Sequence, residues 1–197
     1  GDMGSHTMDL AWNAIDAGLP TSAEGTGQEF DPEVTPVDLT TTFEHPANDW
    51  RPAIRLTWYQ GANKPSRLED GVDVSGIGHG VLFVGDKGHL TADFGSHNLL
   101  PLPGGDLKHY TPRPEEQRIA PMGGFQQQWI NACKGDLKTS CDFDYSGTAI
   151  EQMLLGLVAY RVGKKIEYDG KAGRVTNSDE ANALLSKQYR PGWTLDG

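Results

Sequence analysis

The sequence predicts an α+β domain: an open, mainly antiparallel β-sheet with helices packed on one of its faces. Three observations carry this. Residues 37–44 and 54–59 alternate apolar and polar, the period of strands with one wet face. Residues 81–94 read as two strands around a Gly-containing turn. The last third changes to the period of helices. One-sided alternation with a hairpin argues against a doubly wound parallel sheet, whose strands are apolar on both faces.

The elements follow in chain order. Leu10, Ala14 and Ala17, with Ala11 and Ile15 beside them, form a helical stripe, and Gly18-Leu19-Pro20 is its expected stop. Gly1 fits the remnant of a cleaved tag, and the sequence reads as native from Asp2 onward, a chain that begins in mid-protein. Val37, Leu39, Thr41 and Phe43 then alternate with Asp38, Thr40, Thr42 and Glu44; Ile54, Leu56 and Trp58 alternate with Arg55, Thr57 and Tyr59. The open face of such a sheet carries Thr40, Thr42, Arg55, Thr57 and Tyr59. Such a face suits a symmetric two-fold contact with its own copy, against the alternative of a solvated face on a monomer. Val81–Val84 and His89–Phe94 flank Gly85-Asp86-Lys87-Gly88 as a hairpin. Residues 60–80 and 95–122 are long connections rich in Gly, Pro, Ser and Asn. Phe125, Trp129, Ile130 and Cys133 share one helix face, followed by Gly135. Ser146 is placed to cap a helix whose face is Ile150, Met153, Leu154, Leu157 and Val158, ended by Gly163. Ile166-Glu167-Tyr168 is a short strand. Asn177 and Glu180 resemble a capping box opening a last helix through Ala181, Leu184 and Leu185.

The chain has 197 residues, enough for one sizeable domain or two very small ones, and it is read as a single domain over 1–197. Its 17 basic residues against 27 acidic ones leave a net charge of −10, a field that repels nucleic-acid backbones. No apolar run is long enough to span a bilayer, so no membrane partner is expected. Cys133 and Cys141 do not make a disulfide framework; they read as a core thiol and a loop thiol, with a single disulfide between them as the alternative. The compartment stays open, cytoplasmic or exported.

The chemistry-bearing motifs are few. No P-loop, G-x-S-x-G or H-E-x-x-H occurs, and Gly76-Ile77-Gly78-His79-Gly80 lies in a loop rather than a dinucleotide-binding turn. His6, His45, His79, His89, His97 and His109 include no helical metal pair, and no metal is expected. Asp2, His6 and Asp9 stand at i, i+4 and i+7, on one side of a helix. There Asp2 is placed to accept an imidazole N–H and leave the other ring nitrogen for proton exchange. Spacing alone favours a solvated first turn with an N-terminal acid. Trp50-Arg51 and Trp58-Tyr59 offer stacking surfaces to a sugar ring, with Arg51, Trp58 and Tyr59 the candidates to hold it, against a packing role.

Asp2-Met3-Gly4-Ser5-His6-Thr7-Met8-Asp9 resembles the D-x-G-x-H-x-x-D segment of the glucose–fructose oxidoreductase / inositol dehydrogenase / MocA family. The likeness continues through Gly85–Leu90, Leu154–Lys165, Asn177–Asn182 and Tyr189–Trp193, which resemble the bacterial type of its C-terminal α/β domain. The resemblance implies a two-domain enzyme whose N-terminal Rossmann domain, outside this chain, binds NAD or NADP and carries the family's catalytic Lys. This chain is then the substrate-binding and oligomerisation domain, inactive by itself. Asp2 matches the catalytic-site Asp, His6 the acid/base His, and Asp9 a structural position. The implied substrate is a sugar or polyol hydroxyl, and the implied assembly is a homo-oligomer through the sheet. Alternatives are an NAD-dependent glycosidase of the same broad family, or a non-catalytic binding or assembly module.

Overall fold

A computed structural model describes residues 2–108, 110–118 and 123–193; His109 lies outside them. The chain is α+β, with antiparallel strand pairing throughout the described residues. It forms two compact units: one from the segments up to Ser66 and from Ala149 onward, the other from Arg67–Thr148.

The first unit holds a five-stranded sheet in the order β3-β2-β1-β7-β8. Its strands are β1 (Ser22–Gly27), β2 (Leu39–His45), β3 (Ile54–Gln60), β7 (Ile166–Asp169) and β8 (Arg174–Val175). β2 and β3 appear where alternation places them, and β2 alternates buried and half-buried along its whole length. Val37 falls outside β2 and is exposed. The central strand, β1, has no apolar alternation; its sequence is Ser-Ala-Glu-Gly-Thr-Gly. Its glycine has a packing reason. A Cβ on Gly25 would lie 2.7 Å from the Tyr160 backbone nitrogen and 2.8 Å from the Gly156 carbonyl oxygen. From the helix side, a Cβ on Gly156 would meet the Phe43 ring at 2.8 Å. Two glycines thus let a helix sit directly on the sheet.

That helix is α3 (Phe143–Val162), whose residues from Ala149 belong to the first unit. Its buried face is Gln152, Leu155, Gly156, Ala159 and Tyr160 with Val158, not the predicted stripe; Ile150 and Leu154 are exposed. The helix starts at Phe143, so Ser146 lies inside it. It ends as predicted, with Gly163 at φ +63° and the Lys164 and Gly163 amides donating to the carbonyls of Ala159 and Tyr160. Helix α1 (Asp2–Ala14) turns Gly4, Met8, Ala11 and Trp12 inward, with Ile15 following. Leu10 is only half-buried and Ala14 exposed, because these residues sit beside the inward face. The stop comes before Gly18: Asp16 takes φ +49°, and the Ala17 amide donates to the Trp12 carbonyl. Helix α4 (Asp179–Ala183) is capped by Ser178, whose hydroxyl accepts the Ala181 N–H at 3.2 Å. Asn177, the predicted cap, instead accepts the Glu167 N–H and donates to the Lys165 carbonyl, bracing β7. Met8, Ala23, Phe43, Leu155, Val158 and Ile166 are central to the core between sheet and helices.

The second unit carries a three-stranded sheet, β4 (Val81–Val84), β5 (His89–Ala92) and β6 (His97–Leu100). The predicted hairpin is there, pairing Val84 with His89, with β5 ending at Ala92. Helix α2 (Phe125–Lys134) forms, but the face expected to pack is open: Phe125 is 78% and Trp129 66% exposed, and Gln128 is its buried residue. Cys133 and Cys141 are both free and exposed, so Cys133 is not a core thiol.

Candidate functional site

The N-terminal motif is divided by its helix. Gly4 faces inward, where a Cβ would come 2.7 Å from the Met153 sulfur on α3, and Met8 enters the core. Asp2 and His6 stand one turn apart on the exposed side, with Asp9 half-buried. Ser5 closes the first turn by donating to the Asp2 carbonyl at 2.7 Å. Packing therefore accounts for the inward residues of the motif, while Asp2 and His6 stand exposed.

A second site lies on the other side of the sheet. The face left open by the helices forms a depression of about 380 Å³ lined by polar side chains. Cross-strand pairing builds it: Thr40 opposite Tyr59, Thr42 opposite Thr57, Glu44 opposite Arg55. The Thr42 and Thr57 hydroxyls are 3.4 Å apart, and Arg55 Nε donates to Glu44 Oε1 at 2.7 Å. Glu24 from β1 and Lys165, the residue before β7, complete the rim. Lys165 is also 3.6 Å from Glu167, so both cations of the depression have a carboxylate beside them. The lining suits hydrogen bonding with an uncharged polar group. Six of these residues follow from the alternation read in sequence. Glu24 and Lys165 do not: β1 lacks a strand signature, and Lys165 reads as the charged end of a helix.

The three predicted sugar-holding residues are not gathered. Tyr59 lies on the open face, at the rim of the depression. Trp58, its neighbour along the strand, points the other way and packs against the core. Arg51 is 7% exposed, and its guanidinium is engaged by backbone: Nε donates to the Ile15 carbonyl at 2.5 Å and Nη1 to those of Pro46 and Pro52. It ties the end of α1 to the turn after β2, which is a structural duty.

Two buried histidines were not singled out by sequence. His89 in the second unit is fully engaged. Its Nδ1 accepts the Gly85 N–H at 3.3 Å, so the neutral ring carries its proton on Nε2 and donates to Asp70 Oδ2 at 2.7 Å. The Val72 amide, then the His89 hydrogen bond, hold the Asp70 carboxyl below the usual carboxylate range. With both nitrogens committed, His89 is a latch rather than a base. His45, at the end of β2, is 2% exposed in the first unit. Burial, then the Arg51 guanidinium, push its pKa below the usual histidine value. In the same unit the Tyr168 hydroxyl donates to Glu151; burial, then that bond, raise the phenol pKa.

Among the described residues no group of three or more His, Cys, Asp or Glu is placed to hold a metal, and no helix is long and apolar enough to cross a membrane. Compared with protein families and with curated proteins, the sequence finds no match.

Proposed function

We propose that this chain is the substrate-side domain of an NAD(P)-dependent oxidoreductase acting on a sugar or polyol hydroxyl. The supporting observation is the division of the Asp2–Asp9 segment, which buries Gly4 and Met8 and leaves Asp2 and His6 facing out. In this reading His6 accepts the proton of the substrate hydroxyl. Asp2, one turn earlier, accepts the other ring N–H, fixing the tautomer and supporting the charged imidazole.

The described residues do not fit a nicotinamide nucleotide. Such sites need a strand running through a Gly-rich turn into a helix within a parallel unit. Here the pairings are antiparallel, and Gly76–Gly80 leads into β4. The cofactor would therefore be held by residues outside this chain, and the chain's own share is substrate binding and proton movement.

The test uses the complete protein with NAD or NADP and a panel of sugars and polyols, following nicotinamide reduction. His6→Ala should lower kcat by roughly 10²–10⁴-fold, the usual size of a lost general acid/base group. Asp2→Asn should lower it less, because the imidazole remains. Undiminished turnover by His6→Ala would remove the assignment, and glycoside cleavage without net nicotinamide reduction would favour the glycosidase alternative.

A second reading concerns assembly. The open sheet face places cations and carboxylates side by side among threonines, a mixture that two copies related by a two-fold axis can match sign to sign. Light scattering during size exclusion tests this: a species heavier than the 21.4 kDa monomer is expected, and the monomer mass at every concentration refutes it.

A further inference from the structure

His45 stands where three elements of the first unit meet. It ends β2, its ring meets the Trp12 ring of α1 edge-on at 6.2 Å, and Gln152 reaches it from α3. The packing is tight enough to leave His45 2% and Gln152 1% exposed. Yet neither ring nitrogen of His45, nor Gln152 Oε1, has a hydrogen-bond partner among the described residues. Buried polar atoms are nearly always paired, so three orphans in one cluster call for a reason. The Gly18 backbone and Gln152 lie close enough to favour a charged ring, but outside hydrogen-bond geometry. The charged groups acting on the ring are Arg51, which opposes its protonation, and Glu44, which weakly favours it. Arg51 is also the clasp of this region, holding the Ile15 carbonyl at the end of α1 and the Pro46 and Pro52 carbonyls of the neighbouring turn.

We propose that His45 is an acid-sensitive latch for the C-terminal end of α1, closed while its imidazole is neutral and released when the ring takes up a proton. A second positive charge beside the Arg51 clasp, inside a buried cluster, is relieved when residues 12–18 move out and the ring meets solvent. The sign follows from linkage. In the closed form the ring protonates below the ordinary histidine value of about 6.5, because burial and Arg51 oppose the charge. The open form protonates near that ordinary value, so the latch is fully effective above it. Below it the open form holds one more proton, and the open fraction rises about tenfold per pH unit until the closed form protonates too. This inference does not depend on what Asp2 and His6 do.

The experiment is hydrogen exchange of the full chain by mass spectrometry from about pH 7.5 to about pH 5, corrected for intrinsic amide rates. Amides of residues 12–18 should lose protection at close to tenfold per pH unit below the histidine range, and His45→Gln, which cannot titrate, should abolish that slope. A flat profile in the parent protein, or an identical slope in His45→Gln, overturns the latch. Should His45→Gln not fold, NMR titration of the His45 ring protons in the parent protein decides: a midpoint below the ordinary histidine value is required, and an ordinary or raised midpoint refutes the proposal.

Discussion

In the first unit Phe43, Leu155 and Ile166 are almost completely removed from solvent, packed between a sheet and a helix that nearly touches it. In the second, the buried side chains among the described residues are Val74, His89 and Gln128. Two of those three are polar, and each is held by a side chain: His89 by Asp70, Gln128 by Ser140, whose amide and hydroxyl donate to it at 3.0 and 2.9 Å. Aspartate turns supply much of the remaining order, as where Asp93 accepts the Gly95 and Ser96 amides at 2.8 and 2.7 Å. Apolar burial is non-directional and scales with area, so the first unit tolerates small polar changes and punishes lost volume. A hydrogen-bonded unit responds to individual atoms and to charge.

Substitutions can break this contrast in order of expected size. Phe43→Ala should have the largest effect, about 3–5 kcal/mol off the stability of the first unit, because a fully buried ring leaves a cavity between sheet and helix. A urea titration would show it as a lowered midpoint. Gly25→Ala should cost about 1–3 kcal/mol, since the added methyl meets main chain of α3 rather than a movable side chain. A similar urea midpoint for Gly25→Ala and its parent would mean that the sheet and α3 are not held this close in solution. Asp70→Ala should leave the first unit intact while raising amide exchange along β4 and β5, a local loss that tests the His89 latch. The Asp70 contribution has its own pH signature. Its carboxyl is held below the usual range, so the contribution is complete above the ordinary carboxylate value and is lost only as pH falls through the lowered one. At about pH 5 the Asp70 contribution should therefore persist while the end of α1 has already loosened. The smallest effect is expected from Trp129→Ser, within about 0.5 kcal/mol, because that ring is already in solvent. A large loss there would show that the α2 face is covered.

Legibility in sequence follows the same division. β2, β3 and the β4–β5 hairpin were readable because each has one wet and one dry face, and alternation records this directly. β1 was not, although it is the centre of the sheet: its small residues answer the close approach of α3, a tertiary demand with no local pattern. The orientation of α3 was hidden for a related reason. Ile150, Met153, Leu154, Leu155, Leu157, Val158 and Tyr160 surround the helix, so several stripes fit and Gly156 decides which one faces the sheet. α2 misled in the opposite sense: a clear apolar face exists and is exposed. At the site, the placement of Asp2 and His6 on one side of a helix was legible from spacing. The alternation that defines β3 also separates Trp58 from Tyr59. The engagement of Arg51 by distant carbonyls left no mark in the sequence.

The strand order β3-β2-β1-β7-β8 also sets a schedule. β1 is bordered on one side by β2, made immediately after it, and on the other by β7, joined at Ser22–Glu167 and Ala23–Ile166. Between β3 and the part of α3 that covers the sheet, the ribosome must first deliver residues 67–148. At typical elongation rates of about 5–20 residues per second that interval lasts roughly 4 to 16 seconds. Throughout it the three-strand meander has its apolar face, Ala23, Leu39 and Phe43, without the helix that will cover it. During synthesis, then, the unit that ends up better packed is the one that waits.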